Sequence, residues 1–165
     1  MADVLEGEEL ILIKTTVNGR RVTRSVSPRT SLALFLREEL GTTSVHLGCE
    51  HGVCGACTVV YDGVTARSCL LLAAQADGLE IETLEGGTAS GRLTNIATEF
   101  VERAALQCGF CTPGMILTAA EVIERNKATD RAAIRAELSG NICRCTGYQS
   151  IVDAVEAVAM SRAKK

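Results

Sequence analysis

Aromatic side chains are nearly missing from this 165-residue chain: they make up 3% of it, and there is no Trp. Its core must therefore be built from small aliphatic groups, and Ala, Leu, Val and Ile supply most of the 47% apolar fraction. The chain also lacks a strong charge excess. Its net charge of −3 gives no reason to expect nucleic acid or an anionic membrane as partner. No apolar run is long enough to cross a membrane. Met1–Glu9 is acidic and carries no apolar signal segment. Arg20-Arg21 is followed by no apolar run, so it does not read as a twin-arginine export signal. These absences make the cytoplasm the expected compartment. There is no phosphate-binding glycine-rich loop, no nucleophile elbow and no plausible acid–base pair, so bond-making chemistry is not expected of the chain itself.

Cysteine is what the chain has in quantity, with eight residues. In a reducing compartment, such spacing points to metal binding before disulfides. Three thiols, Cys49, Cys54 and Cys57, fall within nine residues, and Cys69 follows Cys57 with eleven residues between. This is the spacing of plant-type ferredoxins, which hold one [2Fe–2S] cluster. Gly48, Gly52 and Gly55 are expected to supply positive φ and to let backbone N–H groups approach anionic sulfur. The folded N-terminal half is expected to exist largely as a holder for this loop. Two half-size domains with so few aromatics would each be marginal, and metal staples would compensate.

Read in order, Leu10–Val17 is a strand, Asn18-Gly19 a hairpin turn and Arg20–Val26 the return strand. Val22 and Val26 share one face of that strand. Pro28 ends it. Ser31–Leu40 reads as a helix capped by Thr30 or Ser31 and closed by Gly41, with Leu32, Phe35 and Leu36 on one face. Thr58–Tyr61, Asp62-Gly63 and Val64–Arg67 form a second hairpin that returns Cys69 to Cys57, and Leu79–Thr83 is a last strand. This pattern suits a small α+β roll of the β-grasp kind, spanning residues 1–83. The small-residue segment from Glu85 to Gly91 reads as a linker, placed at 84–94. Residues 95–165 look all-α. Helices are expected over Asn95–Leu106, Pro113–Asn126, a short stretch after the Asp130 cap, and Ser150–Ser161. Four helices with short connections argue for a four-helix bundle. The Lys164-Lys165 tail is expected to be disordered.

The second cysteine set, Cys108, Cys111, Cys143 and Cys145, sits in two interhelical turns that meet at one end of this bundle. Helix N-termini at Pro113 and near Ser150 point positive dipole ends towards an anionic site. Spacing alone leaves zinc and iron–sulfur both open here, because Cys-x2-Cys is common in zinc sites while Cys-x-Cys is less usual there. Other candidates carry less. His51 lies inside the first loop, but four cysteines already fill that site, so it is expected to face solvent or the cluster's surroundings. His46 reads as a loop residue. Arg144 is equally suited to offsetting cluster charge and to solvation, and Tyr148 to packing and to function. Glu6, Glu8 and Glu9 read as a solvated terminus.

Four segments together resemble a known family: Gly48-Cys-Glu-His-Gly-Val-Cys-Gly-Ala-Cys-Thr58, Arg67-Ser-Cys69, Gln107-Cys-Gly-Phe-Cys-Thr-Pro-Gly-Met-Ile116 and Gly140-Asn-Ile-Cys-Arg-Cys-Thr-Gly-Tyr-Gln149. In this order they resemble the iron–sulfur subunit of the molybdenum hydroxylases, the xanthine oxidase/aldehyde oxidase family, from about Leu10 to Met160. The resemblance implies a [2Fe–2S] cluster on Cys49, Cys54, Cys57 and Cys69 in a plant-type ferredoxin-like domain. It implies a second on Cys108, Cys111, Cys143 and Cys145 in the helical domain, next to a molybdopterin, expected in its cytosine dinucleotide form. Gln107 and Cys145 match positions that touch the pterin in the family.

The partners so implied are a molybdenum-binding large subunit and an FAD-binding medium subunit, in a dimer of heterotrimers. The function implied is a relay of single electrons from molybdenum through the helical-domain cluster, then the ferredoxin-like cluster, to FAD. Aerobic CO dehydrogenases of the family tend to have Thr-Ser-His where this chain has His51-Gly52-Val53, and Tyr where Phe110 stands. An N-heteroaromatic compound or an aldehyde is therefore the expected substrate ahead of CO. The competing readings are a free-standing two-cluster ferredoxin and a zinc-stapled adaptor.

Overall fold

Asn18 and Gly19 adopt φ of 52° and 75°, the pair of left-handed residues that a tight hairpin needs. They join β1 (Ile11–Val17) to β2 (Arg20–Val26), which pair antiparallel from Ile11 opposite Val26 to Val17 opposite Arg20. Asp62 and Gly63 repeat the device between β3 (Thr58–Tyr61) and β4 (Val64–Arg67). The last strand, β5 (Glu80–Glu82), runs parallel to β1 and antiparallel to β3, giving a five-stranded sheet of order β2-β1-β5-β3-β4. This computed structural model describes residues 9–163. Glu6 and Glu8 and the Lys164-Lys165 tail, read above as a solvated terminus and a disordered end, lie outside the described residues.

One helix covers one face of the sheet. Ser31 caps it by accepting from Leu34 N–H, and α1 (Leu32–Leu34) continues as a π-helical stretch, Phe35–Glu39. A regular helix was expected to Leu40. The wider turn arises where the amide and hydroxyl of Thr42 both donate to the Leu36 carbonyl, at 3.0 and 2.6 Å. Leu32, Ala33, Phe35 and Leu36 are buried there with Ile13, Val17, Val59 and Ile81.

The segment expected to be a linker is mostly helix: α2 spans Leu84–Ala89. Its glycines serve close packing. A Cβ on Gly87 would lie 2.3 Å from the Leu93 side chain, and one on Gly86 the same distance from Asn18 Oδ1. Asn18 in turn exchanges hydrogen bonds with Thr83, Nδ2 to Oγ1 at 2.9 Å and backbone N–H to Oδ1 at 2.8 Å. The Glu85 carboxylate accepts from the Ser44 amide at 2.9 Å and from the hydroxyls of Ser44 and Thr83. Burial raises its pKa, but these donors outweigh that and hold it below the usual range.

The remaining helices are α3 (Thr94–Glu102), α4 (Thr112–Glu124), α5 (Arg131–Leu138) and α6 (Gln149–Ala163). α3 stops four residues short of expectation. Ala104 turns left-handed at φ 50° and Ala105 N–H donates back to the Phe100 carbonyl, an ending usually signalled by glycine. α4 is the central element. Nearly all of it from Pro113 to Ile123 is buried, within the helical core and beside the sheet. Arg92 ties the two halves by pairing with Glu82 and Glu124. Glu121 on α4 accepts from the backbone and hydroxyl of Thr65 on β4. Among the described residues no helix is long and apolar enough to cross a membrane.

Two substitutions test this packing. A Cβ on Gly114 would sit 2.3 Å from the Gly55 carbonyl oxygen, which is backbone and cannot swing aside. Gly114→Ala should cost about 1–3 kcal/mol in thermal or denaturant unfolding. Asp130 caps α5 by accepting from Ala133 N–H at 2.9 Å, so Asp130→Ala should cost about 1 kcal/mol by the same measurement.

Candidate metal centres

Residues 48–57 form an irregular loop whose turns come from three left-handed residues: Glu50 (φ 52°), Gly52 (φ 85°) and Gly55 (φ 76°). Gly48 is not among the left-handed residues, so its expected role changes. A Cβ there would lie 3.2 Å from Cys54 Sγ and 3.3 Å from the Phe110 ring, so Gly48 makes room for a close approach. The chain folds around the Cys49 sulfur, which accepts from Cys54 N–H at 3.3 Å. Cys69 arrives as expected. Pairing of Thr58 with Arg67 closes the β3–β4 hairpin, and Ser68 binds the Cys57 carbonyl through its amide (3.3 Å) and hydroxyl (2.6 Å). The Cys57 and Cys69 thiols are then neighbours, and Cys57 helps to raise the Cys69 pKa.

The second group assembles at helix ends. Cys108 and Cys111 lie in the turn before α4, Cys111 being its N-cap residue. Cys143 and Cys145 lie between α5 and α6. Cys108 and Cys145 sulfurs stand 3.5 Å apart, and Cys111 contacts Cys143. Tyr148 has a definite task here. At φ 66° it turns its hydroxyl back to accept from Cys143 N–H at 2.8 Å, while its own amide donates to Thr146 Oγ1 at 3.1 Å. Thr146 Oγ1 also lies 3.2 Å from Cys143 Sγ.

The thiols are electrostatically unequal. Cys49 is lowered to about 6, chiefly by the Cys54 and His51 backbone N–H groups. Burial pushes Cys69 up to about 11 and Cys111 up to about 12, with help from Cys57 and Cys143 respectively. Cys108 is lowered by the Phe110 N–H and the Cys145 thiol, and that shared bond raises Cys145. Burial acts upward on Cys143, but hydrogen bonds from Thr146 and the Cys145 amide bring it down. N–H donors aimed at sulfur favour the thiolate, the form that binds metal.

All eight thiols are free. A 3.5 Å separation is far beyond the ~2.0 Å of a disulfide. It is close to the ~3.8 Å edge that two thiolates span on one tetrahedral metal with bonds of ~2.3 Å. Among the described residues no three His, Cys, Asp or Glu side chains converge on one point, as a single four-coordinate ion would require. Within each group the thiols act on one another: Cys49 with Cys54, Cys57 with Cys69, Cys108 with Cys145 and Cys111 with Cys143, and also Cys69 with Cys49 and Cys108 with Cys143. Each group is thus a set of four neighbouring thiols. The Thr112 hydroxyl beside Cys111 is buried without a partner among the described residues, which leaves a donor for an anionic group.

The two groups adjoin. Ile142 N–H, next to Cys143, donates to the Cys54 carbonyl at 2.9 Å. His46 stacks on Phe110 with ring centres 4.8 Å apart, and its Nδ1 donates to the Phe110 carbonyl at 2.7 Å. His46 therefore braces one cysteine turn against the other loop. His51 is exposed and its Nδ1 donates to the Cys49 carbonyl, so it is bound to backbone and not to sulfur. Gln107, Cys108 and Cys145 are exposed together at the bundle end. The residues to which sequence reasoning gave no role are Asn141, in the second cysteine turn, and Arg67, the last residue of β4. The buried Asn141 amide joins the turns, and only the neighbouring cysteines hinted at it.

Comparison with known proteins agrees with this geometry. Residues 15–85 match the family described as "2Fe-2S iron-sulfur cluster binding domain", and residues 81–156 match "[2Fe-2S] binding domain". The chain is 49% identical over 150 residues to the caffeine dehydrogenase subunit gamma of Pseudomonas sp. (strain CBB1), covering 89% of this chain and 90% of that protein. It is 46% identical over 149 residues to the xanthine dehydrogenase iron-sulfur-binding subunit of Escherichia coli O157:H7, covering 89% and 93%. In the crystal structure of quinoline 2-oxidoreductase from Pseudomonas putida 86, one chain superposes with a TM-score of 0.87 at 47% identity, over 93% of this chain and 95% of that one. With two adjoining groups of four thiols on matching domains, this chain belongs to the iron–sulfur (small) subunits of the molybdenum hydroxylases, the xanthine oxidase/aldehyde oxidase family.

Proposed function

We propose that this subunit passes single electrons from the molybdenum centre of a large partner to FAD on a medium partner. Cys49, Cys54, Cys57 and Cys69 hold one [2Fe–2S] cluster, and Cys108, Cys111, Cys143 and Cys145 hold the other. When bound, each cluster takes up and releases one electron, which divides a two-electron oxidation into single steps. The observation that carries the reading is the Ile142 N–H to Cys54 carbonyl bond, which joins the two cysteine groups through one hydrogen bond and one peptide link. The exposed end with Gln107, Cys108 and Cys145 faces the pterin, a molybdopterin cytosine dinucleotide, with Gln107 and Cys145 touching it. The ferredoxin-like group faces the flavin.

This chain's residues hold the sulfurs and exclude water. Cys57 and Cys143 are buried, and the N–H groups of Cys54 and Phe110 favour the charged sulfur of Cys49 and Cys108. The functional units are residues 1–83 and 95–165, joined through 84–94; the two family matches overlap at residues 81–85, which supports a division there. Relatives named for caffeine, xanthine and quinoline all carry nitrogen heterocycles in their names, which supports an N-heteroaromatic substrate. Free thiols suit a reducing cytoplasm. A dimer of heterotrimers is the proposed assembly.

The test is purification of the native complex with assays of iron, sulfide, molybdenum, zinc and FAD, together with EPR. Two distinct reduced-cluster signals in a complex containing molybdenum and flavin are expected. Iron without molybdenum or flavin would favour a free-standing ferredoxin, and zinc without iron would favour the stapled adaptor. In that complex, Cys145→Ser should impair electron exit from molybdenum far more than it impairs folding of residues 1–83. Normal flavin reduction by this variant would overturn the relay order. After iron is chelated from the folded chain, iodoacetamide should label Cys49 first, its rate rising as pH passes about 6, because the thiolate is the nucleophile. Cys69 and Cys111, at about 11 and about 12, should resist labelling until strongly alkaline pH. Peptide mass mapping reads the order, and uniform labelling near neutral pH would contradict it.

A further inference from the structure

Asn141 is 2% exposed and lies two residues before Cys143. Its amide makes four hydrogen bonds to four separate parts of the fold. Nδ2 donates to the Gly55 carbonyl at 3.1 Å, in the first cysteine loop, and to Thr58 Oγ1 at 3.3 Å, at the start of β3. Oδ1 accepts from Arg67 Nη2 at 3.3 Å, at the end of β4, and from Thr118 Oγ1 at 3.0 Å, on α4, whose single proton it shares with the Gly114 carbonyl, also at 3.0 Å. Arg67 only donates and the Gly55 carbonyl only accepts, so these two neighbours fix which end of the amide is oxygen. All four places on the amide are filled.

Its surroundings leave little slack. Arg67 also donates to Thr58 Oγ1 and to the Gly140 carbonyl, each at 2.6 Å. A Cβ on Gly55 would lie 2.6 Å from the Gly140 oxygen and 2.8 Å from Asn141 Nδ2. Gly55 follows Cys54 directly, and Ile142, next to Asn141, donates to the Cys54 carbonyl. The amide thus connects the residue after one ligand candidate to the segment leading into another.

We propose that Asn141 is the positioning residue for electron transfer between the two centres, its side-chain amide setting their separation and mutual orientation. The proposal rests on the two-cluster reading above. Tunnelling falls off steeply with distance, so a small opening between the Gly55 and Asn141 loops slows transfer even when both clusters stay intact. A buried network with every member satisfied has no low-cost alternative arrangement, which keeps the gap at one value.

The decisive comparison uses the assembled complex with Asn141→Asp and Thr118→Val. The first keeps the side-chain shape but sets an acceptor against the Gly55 carbonyl. The second removes one donor on α4 and leaves both Nδ2 bonds. Asn141→Asp should keep wild-type iron and sulfide, and each cluster's own EPR signal under partial reduction. In the fully reduced protein it should lose the splitting that arises from magnetic interaction between the clusters, and electron passage from one to the other should slow. Hydrogen exchange at the Ile142 amide should quicken. Thr118→Val should keep the splitting. Wild-type splitting and transfer in Asn141→Asp would overturn the proposal. Should that variant fail to take up iron, Asn141→Ser, which adds no charge, is read by the same criteria; failure of both to hold iron would make the residue a folding element and also overturn it. Wild-type complex without two cluster signals would instead remove the relay reading itself.

Discussion

Backbone groups in close contact, more than interlocking side chains, hold the two cysteine loops of this subunit together. The Gly55 carbonyl lies where a Cβ on Gly114 would be, and Gly55 itself is pressed against Gly140 and Asn141. The first turn of α4 therefore seats directly on the ferredoxin-like loop. Such contacts need residues without side chains, and they leave polar groups facing one another in a buried place. Each must be satisfied or the approach is costly. The Asn141 amide, the Thr58 and Thr118 hydroxyls and the Arg67 guanidinium satisfy them. With that seam closed, the distance between the two sulfur groups follows from covalent geometry.

The same economy of side chains explains how a chain with so few aromatics forms two cores. Phe35 is buried in the sheet half and Phe100 in the helical half, and the rest is aliphatic packing around α1 and α4. The two cores meet across β3, whose Val59 packs into the sheet half while Val60 packs against the helical half built on α4. Neither half is then a free-standing unit joined by a tether, because α2, Arg92 and Glu121 bind them along the whole seam.

Local chemistry made much of this legible in the sequence. The Asn18-Gly19 and Asp62-Gly63 turns, the Ser31 and Asp130 caps, and the cysteine spacings each depend on neighbours a few residues away. What escaped depends on distant partners. Gly86 and Gly87 read as flexible, yet they are small because Asn18 and Leu93 lie against them. Ala104 ends α3 in a conformation that its sequence does not announce. Gly48 reads as a turn former but serves to admit Phe110 and the Cys54 sulfur. Tyr148 suits packing and function alike in the sequence, and Asn141 carries no signal of its own, until the fold brings the Cys143 amide and the Gly55 carbonyl to them.

The surface around the cysteines completes the physical picture. Val53 (56% exposed) and Leu70 (60%) stand out beside the first loop, and Phe110 (46%) and Ile142 (44%) beside the second turns. Leu70, next to Cys69, lies against Gly52 and so packs over the first cysteine loop. Apolar groups left exposed next to a site that must be kept dry are the mark of a surface finished by another protein. Partner subunits that cover them would exclude water from the sulfurs without any further residue from this chain. The aliphatic rim and the buried polar seam thus divide the work. The seam holds the two cysteine groups against each other, and the rim leaves apolar side chains exposed beside each of them.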